Sequence, residues 1–142
     1  MKNIRTTFNG LRIERRLIPI QNDGCYIPGG KARYPSTLIM CAVPARIAGV
    51  KRVAVASPPL RDGTHDPLTL VAADLCNVDE VYKIGGAHAI AALAYGSETV
   101  KKVDKIVGPG GAIVNIAKQM VSAHVSIDMV AGPTELLIYA DS

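Results

Sequence analysis

The stretch from Glu80 to Gly96, EVYKIGGAHAIAALAYG, sets the architecture. Glu80 to Ile84 reads as a short strand, rich in the β-branched and aromatic side chains that suit a pleated surface. Gly85-Gly86 ends that run, and Ala87 to Tyr95 follows as an Ala-rich helix that Gly96 closes. Strand, glycine turn and helix make half of a βαβ unit, and the pattern recurs on both sides. Lys51 to Ala56 (KRVAVA) is a strand stopped by Ser57-Pro58-Pro59. Asp66-Pro67 then opens a helix over Leu68 to Cys76, with Asp as N-cap and Pro in the first turn. Upstream, Leu17 to Ile20 and Cys25 to Ile27 read as short strands. A helix N-capped by Ser36 follows to about Gly49, with Pro44 placed to kink it. Downstream come a strand at Asp104 to Val107, a turn at Gly108-Pro109-Gly110-Gly111, a helix over Ala112 to about Ala123, and a last strand at Glu135 to Tyr139.

The order is βαβαβαβαβ. Val53-Ala-Val-Ala56 is apolar on consecutive positions, as a strand covered on both faces must be. Right-handed crossovers then predict an α/β fold: a Rossmann-like, open, mostly parallel, doubly wound sheet with helices on both faces. Residues 24–142 form that domain. Residues 1–23 form a basic arm, read as short antiparallel strands.

The chain has 142 residues, 49% hydrophobic and 20% charged, which predicts one globular domain rather than a disordered chain. No apolar run reaches the roughly 20 residues of a membrane span. The N-terminus lacks the apolar core of a secretory signal, so the expected location is cytoplasmic. The net charge is +4, and most of it lies in residues 1–23, where five cations meet two carboxylates. Such an arm can hold phosphates. With no Trp and one Phe, however, stacking platforms are scarce, and nucleic acid is not the expected partner.

Ligands of such sheets collect beyond the C-terminal strand ends. Tyr26-Ile-Pro-Gly-Gly30, Gly85-Gly86 and Gly108-Pro-Gly-Gly111 all fall there, each between a strand and a helix. Glycine lets backbone approach a ligand, and the helix N–H groups favour an anion, so a nucleotide pyrophosphate is the expected guest. The full Gly-x-Gly-x-x-Gly fingerprint is absent, since Ile113 takes its third position. A Walker A loop is absent too, because Ala32 follows Gly29-Gly30-Lys31. His65, His88 and His124 are too scattered to announce a metal. His88 sits in the first turn after Gly85-Gly86, facing the crevice, while His65 reads as solvated. His124 and Asp128 are four apart near a helix end. Cys41 and Cys76 read as core residues, whereas Cys25 adjoins a Gly-rich turn, a place for a more exposed thiol.

At these loops the sequence resembles the histidinol dehydrogenase family. The matching blocks are Gly24-Cys-Tyr-Ile-Pro-Gly-Gly-Lys31, Pro44-Ala-Arg-Ile-Ala-Gly49, Val53 through Pro59, Gly85 through Gly96, Lys102 through Gly110, and Ile127-Asp-Met-Val-Ala-Gly-Pro-Thr-Glu135. The resemblance implies oxidation of L-histidinol to L-histidine with NAD and zinc in a homodimer. It places cofactor-binding positions at Tyr26, His88 and Gly111, and a substrate-binding hydroxyl at Thr134, where the family usually has Ser. His88 stands where the family typically has Gln, and Gly111 where it has Asn. Each change removes an amide that both donates and accepts, at about 0.5–1.5 kcal/mol per lost hydrogen bond. The family's zinc ligands and catalytic Glu-His pair have no counterpart in these residues, which implies an inactive chain with no catalytic or metal residues of its own. Its apolar faces would be covered by self-association or by a complementary chain. Two other readings stand beside this one: a non-catalytic module for a nucleotide or small anion, and an interaction protein working through its basic arm.

Overall fold

In the computed structural model, which describes residues 3–29, 33–132 and 137–140, Val53-Ala54-Val55-Ala56 is buried at every position. A strand achieves that only between two covering layers. The chain begins with an antiparallel pair, β1 (Ile4–Phe8) and β2 (Leu11–Arg15), joined through Asn9-Gly10. Both linking residues have positive φ, the geometry for which Asn-Gly is favoured in a tight hairpin. Every residue of the pair is exposed. There follow β3 (Asn22–Tyr26), α1 (Pro35–Ile47), β4 (Arg52–Ser57), α2 (Pro67–Leu75), β5 (Glu80–Lys83), α3 (Gly86–Tyr95), β6 (Lys105–Val107), α4 (Ala112–Val121) and β7 (Ser126–Ile127).

The sheet order is β5-β4-β3-β6-β7, and every pairing is parallel. This is the expected Rossmann-like, doubly wound architecture. Alternation along the strands splits the core in two. Cys25, Ile27, Val53 and Val55 face α1 and α2, with Leu38, Ala42 and Ala72. Tyr26 and Ala56 face α3 and α4, with Ile90, Leu93, Ile106 and Val114.

Several local expectations are corrected. Leu17 to Ile20 is not a strand. Pro19 has no N–H for a ladder, and it packs against the backbone of Gly49 instead. The helix after the Gly-rich turn begins at Pro35 with Tyr34 as N-cap, so Ser36 lies inside it; proline's fixed φ and missing N–H suit the first helical position. The fifth strand of the sheet is Ser126–Ile127, held by Asp128 N–H to the Ile106 carbonyl. Of the expected last strand, residues 137–140 are irregular and residues 135–136 lie outside the described set.

The helices are apolar on their outer sides as well. Met40 and Ile47 of α1, Val71 and Leu75 of α2, and Ile113 and Met120 of α4 are all exposed, with Ile47 at 80% and Leu75 at 75%. Helices apolar all round belong inside a larger packing arrangement. No described helix is long and apolar enough to cross a membrane.

Candidate functional site

Strand order reverses between β3 and β6, so the carboxyl ends of these strands flank the natural crevice of the fold. Gly108 ends β6 with φ +115°, and a Cβ there would lie 2.1 Å from the Tyr26 carbonyl oxygen. Only glycine allows the two strand ends to close so tightly. The Gly108 peptide is gripped from both sides. Its N–H donates to Asp128 Oδ2 at 2.9 Å, and its carbonyl accepts from Lys118 Nζ at 3.0 Å. Lys118 also pairs with Asp128. Burial would raise the Asp128 carboxyl, but Lys118 and the N–H groups of Met129 and Gly108 hold it below the usual carboxylate range.

Two helices start at this edge. α3 is N-capped by Gly85 and α4 by Gly111, and neither N-cap supplies a side-chain acceptor. The two helices pack on each other, so both positive ends open on one side of the sheet. A Cβ at Gly85 would strike Pro58 at 2.6 Å, whereas Gly86 and Gly111 face open space. One set of glycines therefore serves close packing, and the other leaves open space at the two helix starts.

Tyr26 lies at the end of β3, only 4% exposed, and its hydroxyl accepts from Gly86 N–H at 3.1 Å. It thereby fixes the turn that launches α3. His88 is exposed two residues further on. The fold thus brings Tyr26, His88 and the Gly111 N-cap to one edge. Thr134 lies outside the described residues. His124 does not join Asp128: its ring stacks at a tilt on Tyr95, with centroids 5.5 Å apart. His65 is half-buried rather than solvated, and burial, with Lys83 nearby, lowers its pKa. Cys25 is fully buried, and contact with the Cys41 thiol and then burial push its thiol pKa up, which opposes a reactive role.

The Lys118–Asp128 clamp escaped the sequence reading. It had a signal: Lys118 occupies the same helical stripe as Val114, Ala117 and Val121, all buried, and a lysine on such a stripe requires a partner. Uncapped helix ends, open space at Gly86 and Gly111, and an exposed imidazole fit a dinucleotide such as NAD. Zinc does not fit in the same way. Among the described residues no three of His, Cys, Asp or Glu converge to hold a metal.

Comparison with known proteins gives a consistent result. The chain matches the sequence profile of histidinol dehydrogenase over residues 1–142. It is 52% identical over 137 residues to the histidinol dehydrogenase of Oceanobacillus iheyensis, covering 96% of this chain and 32% of that protein. With the Archaeoglobus fulgidus enzyme it shares 53% over 140 residues, covering 99% and 35% respectively. The crystal structure of histidinol dehydrogenase from Elizabethkingia anophelis superposes with a TM-score of 0.88 at 41% identity, covering 94% of this chain and 31% of that one. The chain spans about a third of the length of the relatives it matches.

Proposed function

This chain belongs to the histidinol dehydrogenase family, and on that basis we propose that it supplies the nucleotide-binding layer for the NAD-dependent oxidation of L-histidinol to L-histidine. The supporting observation is the convergence of two uncapped helix N-termini at the β3/β6 switch point, beside open space at Gly86 and Gly111. Free N–H groups of the α3 and α4 first turns meet the pyrophosphate, and the helix dipoles favour its charge. Tyr26 keeps the Gly86 turn in place from below, and exposed His88 supplies a ring nitrogen at the rim. Bound NAD would supply the hydride acceptor. Two successive hydride transfers also need a polarised substrate and a general base, and among the described residues no cluster of His, Cys, Asp or Glu could hold a metal to polarise it. The chain alone therefore binds nucleotide without turning histidinol over, and its apolar helix faces are covered by a second copy or a complementary chain.

Calorimetric titration with NAD tests this reading. Heat of binding is expected, and Gly111→Asp is expected to weaken it by about tenfold or more, because a carboxylate at the α4 N-cap competes with the pyrophosphate. Asp is a good N-cap, so the fold survives the change. Absence of both heat and thermal shift, or equal binding by Gly111→Asp, would sink the proposal. Turnover of histidinol by the chain alone would overturn the claim of inactivity.

A further inference from the structure

A second recess lies on the other face of the sheet, between α1 and the β6 side of the sheet. Its volume is about 850 Å³, within the range of small-molecule sites. Most of the wall is apolar, with Ile18 and Ile20 from the segment before β3, Met40 and Pro44 from α1, Val107 from β6 and Met129 beyond β7, and Lys105, Lys118 and Asp128 complete it. Asp23, the second residue of β3, also lines it. Asp23 is 3% exposed, and burial raises its carboxyl to about 6, against the opposing pull of Cys25, Lys105 and the Gly24 N–H.

One Asp23 oxygen, Oδ2, accepts only the weak Cys25 thiol at 3.8 Å, and Oδ1 has no hydrogen-bond partner among the described residues. The neighbouring charged and titratable groups are already engaged. Lys105, opposite Asp23 in the β3/β6 register, gives its Nζ to the Ile127 carbonyl at 2.9 Å. Lys118 is held by Gly108 and Asp128, and Asp128 by Lys118 and the Gly108 N–H. Cys41, on α1, is in contact with Cys25. What remains unmet is a single buried anionic acceptor in an apolar cleft. A buried carboxylate oxygen without a donor carries a desolvation penalty that only a donor removes.

We propose that this cleft is a binding site for a small organic cation, with an apolar body against the α1 and Met129 walls and a primary ammonium directed at the Asp23 carboxylate. An ammonium brings both the missing donor and the missing charge, and a charge-assisted hydrogen bond is about twice as strong as a neutral one. Neutral molecules of the same shape satisfy the walls but not the carboxylate. Anions meet the like charge of Asp23, while Lys105 and Lys118 are committed to the Ile127 and Gly108 carbonyls. The recess adjoins the nucleotide crevice, since Gly108, Pro109 and Gly110 of the β6–α4 turn line it, but Tyr26, His88 and Gly111 do not.

Amide NMR of the full chain, titrated with phenylbutylammonium, phenylbutanol and phenylbutanoate at about pH 8, tests the assignment. Shifts are expected around Asp23, Cys41, Ala45 and Lys105. The ammonium should bind about tenfold tighter than the alcohol, and the carboxylate not at all. Asp23→Asn should bring the ammonium down to the level of the alcohol. Lowering the pH toward about 5 should do the same, because Asp23 protonates in that interval while the lysines stay charged. Ala48→Phe, which fills the cleft without touching Asp23, should abolish the shifts. Equal affinity of ammonium and alcohol overturns the proposal, and would mark the cleft as an apolar seat for a polypeptide segment. So would a preference for ammonium that survives Asp23→Asn, or the absence of any shift.

Discussion

Where the strands begin, charged side chains close the backbone; where they end, one such clamp holds Gly108 and the glycines at the helix starts leave open space. At the first edge the Arg52 guanidinium binds Glu80 at 2.7 and 2.9 Å and reaches the carbonyls of Lys101 and Lys102. Asp79 accepts the Val53 N–H at 2.7 Å and pairs with Arg46, while Asp104 accepts both N–H groups of Asn22. At the second edge the N-caps of α3 and α4 are glycines that supply no side-chain acceptor. The two edges divide the work. One satisfies its polar groups throughout, whereas the other holds Gly108 with Asp128 and Lys118 and Gly86 with Tyr26 but leaves its helix N-caps without a side-chain acceptor.

Four substitutions test this division, beginning with the largest effect. Gly108→Ala places a Cβ against the Tyr26 backbone at positive φ, and should cost on the order of 3 kcal/mol or more in a denaturant titration. An unchanged midpoint would mean that the open edge has structural slack. Arg52→Ala should cost about 2 kcal/mol by removing hydrogen bonds to a charged partner at the closed edge. Arg52 holds the Glu80 carboxyl below its usual range. The stabilisation from Glu80 is thus present above its unfolded pKa and lost on acidification, so the variant's deficit should shrink at low pH.

Asp23→Asn works in the opposite direction. The Asp23 pKa is raised in the fold to about 6, so its charge destabilises the protein above that value, and the penalty is relieved as pH falls toward the unfolded pKa. The variant should be more stable than the parent by about 2 kcal/mol near pH 8 and by much less near pH 4. A constant difference across that range would show that Asp23 is not the titrating group. Gly111→Asn should change stability least, by a few tenths of a kcal/mol, because an extended N-cap facing open space accepts either residue. Its effect should appear instead in calorimetry, as several-fold tighter NAD binding from the restored amide.

The sheet was legible because burial on both sides leaves a direct mark: Val53 to Ala56 carries no polar interruption. The crevice was legible through its glycines. β7 was not, since two residues give no period to read, and its ladder depends on Asp104 and Ile106 far back in the chain. Tyr26 was placed at the right edge, but its hydroxyl is directed at Gly86 N–H, a long-range contact that no local pattern encodes. Asp23 was counted with the basic arm, whereas it is a buried member of β3; an isolated carboxylate beside Gly24-Cys25 gives no hint of burial until β6 is laid against it.

The bond between Asn22 and Asp104 joins residues 82 apart. During synthesis at roughly 5–20 residues per second, β3 therefore waits about 4–16 s for its second neighbour. Through that interval β3 and β4 can pair, but the β6 side of β3 stays open, an edge on which another nascent chain can dock. The central strand of the finished sheet is thus the exposed edge of the growing one.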